Sequence, residues 1–586
     1  MGAASTLMSM PGLPRNLVGT GRFELPTCRL GGDRSIHLSY VPVSNPQLIL
    51  KHSAFLEFAA PRWYTGLNLP GRLHWWMPCF ALSLVASAMA ADTVGFCKAP
   101  APPLAIEEGD WNGWGNDTAN TRRQLHPGFA AEDVSRLKLK WAFGFAAQNL
   151  AFAQPTSVGG RIFIGSVSGA VYSLDAGAGC VYWVYRASAA VRTAIRIAKL
   201  PSGKWAALFG DRAGNAYGID AETAQPLWKI RLDQHPAARI TGSPVLAGGR
   251  LYVPMSSDEE SLAQMPEYRC CTFRGSVSAL DPSNGRTIWQ RFVVDGPAKP
   301  YSVSSSGTEL IGPAGAAIWS SPAIDPKRNL LYVSTGNSYT GVNFDTNDAI
   351  LAIDLDSGKL VWSRQTQRND NFIAGCPYHP SCPAGGGDDF DFGAPPVLRT
   401  LPDGSDILVA GQKSGIVFGL DPDHQGKILW QTRVGEGGSL GGIQWGLAAD
   451  DRLVYAAVSD RLSGRFNRAG LYALDLATGK LAWSTPAPAA PGNPAQSAAV
   501  SSMPGVVFSG SVNGHFRAYS TANGAIVWDF DTKRPFDTVN GVEAHGGSID
   551  GPGPVIAHGM VLTNSGYVSF GGLGGNVLLA FSIDGK

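Results

Sequence analysis

The sequence predicts an all-β protein: an eight-bladed β-propeller of four-stranded antiparallel blades, its last blade closed by both termini. Three observations carry that expectation. One hairpin unit recurs seven times. The two ends of the chain hold complementary halves of an eighth copy. Finally, 72 glycines, 40 prolines and 16 tryptophans among 586 residues suit short strands joined by tight turns.

The unit is a strand ending in an acidic residue in all but the last copy, a small turn containing glycine or alanine, and an apolar strand ending in tryptophan. Side chains alternate in and out on either side of the turn, the signature of a hairpin. In chain order the copies are "VYSLDAGAGCVYW" to Trp183, "AYGIDAETAQPLW" to Trp228, "VSALDPSNGRTIW" to Trp289 and "ILAIDLDSGKLVW" to Trp362. "VFGLDPDHQGKILW" to Trp430, "LYALDLATGKLAW" to Trp483 and "FRAYSTANGAIVW" to Trp528 follow. The C-terminal "NVLLAFSIDGK" is a first half without its tryptophan, and "LKLKWAF" around Trp141 is a second half without its acidic turn. Joined, they close a ring over roughly residues 105–586 and remove two exposed sheet edges. An open solenoid of hairpins would leave the split copy unexplained. Tryptophans at fixed repeat positions read as packing between blades, whereas Trp111, Trp114, Trp319 and Trp445 fall outside the unit and ask for another role.

Ahead of the ring, "WWMPCFALSLVASAMAADT" has an apolar run from Trp75 to the small-x-small triplet Ala88-Met89-Ala90, with Arg72 and His74 just before it. That is a signal peptide over residues 71–90, too short to span a membrane. Because such a signal works at an N-terminus, residues 1–70 are expected to be upstream translation from a misplaced start codon, or else a disordered extension. Residues 91–586 would then be a single exported domain in the periplasm. Export permits disulfides among Cys97, Cys180, Cys270, Cys271, Cys376 and Cys382, and no Cys-x-x-Cys-His is present to attach a haem. A net charge of +1 with 16% charged residues argues against a nucleic-acid partner.

The nearly intact "ALDLATGKLAW" resembles the tryptophan-docking motif of the pyrroloquinoline quinone (PQQ) dependent alcohol dehydrogenases, whose propeller holds the quinone and a Ca2+ on its axis. The resemblance runs from "DWNGWGNDTANTR" through the rest of the chain. "VRTAI", "TGNSYTGVNFDTNDAILAIDLDSGK" and an insertion before Gly275 bring it closest to the polyvinyl-alcohol dehydrogenases of that group. In the family, a tryptophan under the quinone stands eighteen residues before a metal-binding asparagine in "T-G-N", and Trp319 and Asn337 have that spacing. An indole offers a flat apolar floor, and an amide oxygen suits a hard cation. "GGGDDFDFGAPP" puts Asp391 at the family's catalytic aspartate, where a carboxylate beside a divalent cation can both ligate it and take a hydroxyl proton. Asp389 matches relatives that use a lanthanide, a lesser expectation than Ca2+; a solvated acidic turn is the plainer alternative for the stretch.

The resemblance further implies that Lys413 bonds the quinone oxygens and that Gln444 and Trp445 face the cofactor. It makes Thr241 and Ser243 hydroxyl donors to the quinone carboxylates and Arg192 their charge partner. The remaining metal ligand is a glutamate before the strand start Arg274-Gly275, either Glu259 or Glu260, with Glu259 favoured. An alcohol or polymeric alcohol would be the substrate and a separate soluble cytochrome c the acceptor. The competing class is a non-catalytic scaffold, such as the outer-membrane assembly factors that share the repeat; it would lack the set Trp319, Asn337, Asp391 and Lys413. Better-known relatives cover the quinone with a disulfide between neighbouring cysteines, but that device belongs where this chain has Ala189-Ala190. Cys270-Cys271 is therefore expected to clamp an inserted loop, with contact to the quinone as the alternative, and Cys376 with Cys382 to close a small loop near Asp391.

Overall fold

Eight four-stranded antiparallel blades follow one another along the chain in the computed structural model, which describes residues 95–586 except 384 and 462–467. The expected signal peptide and the segment before it lie outside the described residues. Blades 1 to 7 occupy residues 156–186, 196–231, 238–292, 323–365, 397–433, 448–486 and 501–531. In blade 3 the first strand is broken into Ala238–Arg239 and Val245–Ala247, both paired with Arg250–Ser257. Blade 8 is Val555–Ala557, Met560–Ser565 and Val577–Ile583, completed by Leu137–Gly144 from the other end of the chain. Trp141 stands opposite Ala580 in that pairing, so the split copy closes as its halves require.

The repeat tryptophans lock each blade to the next. Trp141, Trp183, Trp228, Trp289, Trp430 and Trp483 donate their indole N–H to the carbonyls of Ala176, Ala221, Pro282, Leu355, Leu476 and Thr521, at 2.8–3.1 Å. Each acceptor opens the hairpin turn of the following blade, and Trp528 reaches Leu137 in the same way. A buried indole thereby keeps its one donor satisfied while its rings add apolar area to the interface. The turn glycine is needed where the ring lies on it: Gly285 has φ +74°, and a Cβ there would come 2.6 Å from Trp228. Trp362 is the exception, its Nε1 buried without a partner beside a turn that coils into a 3-10 helix, Pro422–His424.

Among the described residues, those ahead of Leu137 form no blade, which narrows the expected start of the ring. Instead, residues 111–124 run across it as a clasp. Trp111 pairs with Ser157 of blade 1, and the Asn112 side chain bonds Ile197 of blade 2 in both directions. Ile324, Leu398 and Ala449, in the first strands of blades 4, 5 and 6, donate N–H groups to the carbonyls of Thr118, Ala119 and Thr121. Gln124 reaches Ser502 of blade 7 and, through its amide, Ile556 of blade 8. One short segment thus ties seven of the eight first strands. At its centre the fully buried Arg122 donates to the carbonyls of Val500, Trp114 and Pro554, to Gln154 and to Ser501, with Trp111 and Trp114 stacked about its guanidinium.

Among the described residues three disulfides form. Cys97–Cys180 staples the N-terminal stretch to the first hairpin turn, Cys376–Cys382 closes the expected small loop, and Cys270–Cys271 joins the neighbours. Residues beyond blade 3 build a separate hairpin, Lys299–Val303 with Glu309–Gly312.

Candidate active site

A cavity of about 690 Å3 opens where the loops between blades 3, 4 and 5 meet those of blades 6 and 8. Its polar wall is made by Glu260, Asn337, Asp389, Asp391 and Lys413, with Trp319 beside them. Each comes from an irregular connection that a rigid blade holds in place, the usual address of functional groups. Asn337 follows the strand Leu330–Ser334 in blade 4, Lys413 sits in the turn after Asp406–Gly411 in blade 5, and Asp389 and Asp391 lie on the glycine-rich link between those blades.

Asp391 is the centre of the arrangement. Its Oδ1 accepts the backbone N–H of Asn337 at 2.6 Å, and its Oδ2 accepts Trp319 Nε1 at 3.2 Å and Lys413 Nζ at 3.0 Å. Gly336 of the T-G-N triplet lets the carboxylate lie this close, since a Cβ there would sit 2.7 Å from Oδ1. Lys413 also bonds Asp389 at 2.9 Å, and its ammonium stands 5.4 Å from the centre of the Trp319 ring. Far from being a surface lysine, it is only 7% exposed. Burial alone would lower the ammonium, but Asp389 and Asp391 hold it well above its ordinary range.

Negative charge is in surplus. Glu260, Asp370, Asp389 and Asp391 interact with this one ammonium. Desolvation, then the neighbouring Asp391, pushes Glu260 up to about 7, and desolvation raises Asp389 well above the carboxylate range despite its bond to Lys413. A divalent cation here would relieve that surplus. Among the described residues no three acidic, histidine or cysteine side chains converge to cage an ion on their own. The donor set that does converge is two carboxylates, Glu260 and Asp391, with the Asn337 amide. Asn337 Nδ2 donates to the carbonyls of Ser338 and Phe372, leaving the amide oxygen as its free donor to a hard cation. The residues present fit a cation whose shell is completed by a bound cofactor.

The favoured candidate Glu259 does not line the cavity. Its carboxylate is buried behind the wall, where it accepts the N–H groups of Thr272 and Phe273 and the Tyr268 hydroxyl beside His235. Burial opposes the charged form, but the His235 imidazole beside it, then the N–H groups of Thr272 and Phe273, keep Glu259 below its ordinary range. It anchors the inserted loop, and Glu260, the next residue on the short helix Glu259–Leu262, lines the cavity instead. Thr241, Arg192, Gln444 and Trp445 also line it, while Ser243 lines only a smaller chamber that shares Trp319 and Trp445 with the cavity and reaches Trp114. Ser243 Oγ accepts the N–H of Ala194, and Thr241 bonds Ser256. Gln444 donates its amide to Gly441. Trp445 meets Trp319 edge to face with ring centres 5.1 Å apart, carries the Arg192 guanidinium on its face at 4.2 Å, and donates to Asp550 at 2.7 Å. Asp370 and Asp550 went unread in the sequence because no motif surrounds either.

The chain matches the family model described as outer membrane protein assembly factor BamB over residues 132–371, 305–493, 413–542 and 467–585. It is 44% identical over 510 residues to a polyvinylalcohol dehydrogenase of a Pseudomonas species, covering 84% of this chain and 80% of the relative. To the polyvinylalcohol dehydrogenase of Sphingopyxis sp. strain 113P3 it is 43% identical over 516 residues, 83% and 79% of the two chains. The chain belongs to the PQQ-repeat propellers and, within them, to the quinoprotein alcohol dehydrogenases. In fold it superposes on the quinohemoprotein alcohol dehydrogenase from Comamonas testosteroni with a TM-score of 0.59 at 19% identity, covering 82% of this chain and 81% of that one. As a quinoprotein alcohol dehydrogenase the chain is an oxidoreductase, and the scaffold alternative is set aside. Within this quinoprotein the Cys270–Cys271 pair sits in the apolar core with Phe273, Ala317 and Tyr339, not on the cavity wall, and its backbone exchanges hydrogen bonds with Ile311 of the separate hairpin beyond blade 3. Among the described residues no helix is long and apolar enough to cross a membrane.

Proposed function

We propose that the chain oxidises secondary alcohols, polymeric ones such as polyvinyl alcohol included, as a periplasmic enzyme using PQQ and a divalent cation, with Ca2+ the first choice, and passing electrons to a separate soluble cytochrome c. The observation that carries this reading is the position of Asp391, held between the Asn337 N–H, the Trp319 indole and the Lys413 ammonium at one wall of the cavity. Bound there, PQQ supplies a two-electron acceptor for the hydride of the alcohol carbon. Trp319 would floor the cofactor, Arg192 and Thr241 would meet its carboxylates, and Glu260, Asn337 and Asp391 would hold the cation. Glu260 replaces Glu259 in this set because it, and not its neighbour, faces the cavity.

Asp391 acts as the general base. Its Oδ2 accepts bonds from the Trp319 indole and the Lys413 ammonium, which hold the carboxylate at the cavity wall where it would take the alcohol's hydroxyl proton. Lys413 keeps its proton and so places a fixed positive charge beside the site of reduction. Titrating purified chain with PQQ and Ca2+, then following dye reduction with secondary alcohols, tests the proposal: quinone-dependent turnover is expected, and failure to bind the quinone would refute it. An Asp391→Asn variant that binds PQQ and still turns over at the wild-type rate would remove the assigned base.

A further inference from the structure

We propose that Asp370 is the positioning residue that presents Asp389 and Asp391 to the cavity, a role resting on the reading of Asp391 as the base. Asp370 is buried in the irregular stretch after the last strand of blade 4, Leu360–Gln365. Its carboxylate grips a backbone: Oδ1 accepts the N–H of Asp389 at 3.1 Å, and Oδ2 accepts that of Phe390 at 2.5 Å. Gly387 lies against the same group. Its φ is one any residue can adopt, yet a Cβ there would run into Asp370 Oδ1, so closeness to the carboxylate is what demands glycine.

The other side of the same short stretch holds the T-G-N strand. The Asp370 carbonyl accepts the N–H of Ser338 at 3.1 Å, Phe372 donates its own N–H to the Ser338 carbonyl at 2.9 Å, and the Phe372 carbonyl accepts Asn337 Nδ2 at 2.8 Å. Residues 370–372 therefore bracket Asn337 on one side and the 387–390 link on the other, which sets how Asp391 meets Asn337. Only a carboxylate meets the requirement. Two acceptor oxygens take two N–H groups at once, whereas an amide can accept one and would turn its own NH2 toward the other. A further buried carboxylate beside Asp389 and Asp391 is unfavourable by charge alone, so its presence there needs a local gain. Holding a reacting group in register is such a gain, because a misplacement of about 1 Å lowers rates by about 100-fold.

Asp370→Asn is the test, read first by hydrogen exchange in the protein without cofactor. The amides of Asp389 and Phe390 are expected to exchange at least about tenfold faster, and in the loaded enzyme kcat falls by about 10- to 100-fold while KM for the alcohol stays within about threefold. A role in overall stability alone would instead lower Tm and leave kcat of the folded fraction intact. Gly387→Ala, which pushes on the same carboxylate, is expected to give the same pattern, and the double variant to be no worse than the worse single one. Should Asp370→Asn not fold, Gly387→Ala carries the same measurements. Wild-type exchange at both amides, or wild-type kcat in both variants, overturns the role. A wild-type chain that never takes up PQQ overturns the proposed function and this role together, whereas a wild-type chain that turns over alongside equally active variants overturns this role alone.

Discussion

The molecule buries two cations in opposite ways. Arg122, at the heart of the clasp, is surrounded by neutral acceptors, and desolvation lowers it to about 9. Lys413, at the cavity, is surrounded by carboxylates that hold it far above its ordinary range. Around Arg122 each bonded nitrogen meets a carbonyl, amide or hydroxyl oxygen drawn from blades 7 and 8 or from the segments beside blade 1, so the charge is solvated by the fold itself. Around Lys413 the carboxyl groups outnumber the one ammonium, and crowding them there is unfavourable, which is why Glu260 and Asp389 hold their protons more tightly than usual. One region has been arranged to close a ring and the other to hold something else.

The largest expected effect breaks the first region. Arg122→Ala leaves acceptors from several parts of the ring unpaired and empties the space between two indoles, a loss of about 4 kcal/mol or more. A lowered Tm measured by calorimetry, with quinone binding lost in step, checks it; a substitution tolerated within about 1 kcal/mol would deny the clasp its role. Next in size, Asp391→Asn is expected to reduce kcat by about 100-fold or more while Tm of the apo protein holds or rises, because one surplus charge is gone. Loss of stability in that variant would contradict the picture of a strained, over-charged cavity.

The pH response sharpens the contrast. Glu260, raised to about 7 from 4.5, binds a proton more tightly in the folded chain than in the unfolded one. Its contribution to stability is therefore fully present below pH 4.5 and is lost as pH rises through about 7. The metal-free protein should melt lower at pH 8 than at pH 5.5, and Ca2+ should raise Tm more at the higher pH, which thermal melts with and without chelator would reveal. At the clasp end, the bond that His558 donates to Asp110 raises it above 6.5, so His558→Asn should remove a small stabilisation seen only at acid pH and indifferent to Ca2+. The smallest effect separates two repeat tryptophans. Trp430→Phe loses a bond to Leu476 and about 1 kcal/mol, while the same change at Trp362, whose N–H has no partner, should lie closer to neutral.

Much of this was open to reading from residues alone. The hairpin unit repeats with local periodicity, and the split eighth copy named its own partner, since Leu137–Gly144 and Val577–Ile583 complete one sheet. The spacing from Trp319 to Asn337 carries through because the two flank the first two strands of blade 4, Ala323–Asp325 and Leu330–Ser334, which are paired and rigid. Asp391 and Lys413 were legible through a short motif each, and the structure brings all four to one wall.

What stayed hidden depended on direction and on long-range closure. Neighbouring residues on a helix point about 100° apart, so no spacing could choose between Glu259 and Glu260; the N–H groups of Thr272 and Phe273 decide it by capturing the first. Asp370 works through backbone groups about twenty residues away, which leave no pattern of side chains to find. Residues 111–124 carried only the start of a family resemblance, and only the closed ring supplies the seven first strands that give their hydrogen-bonding groups somewhere to go. The sequence by itself determined the repeat, the ring and the chemical types at the site, because those are written in local order. The tertiary structure alone decided which carboxylate faces the cavity and what holds it there, because burial and hydrogen-bond partners exist only once distant segments meet.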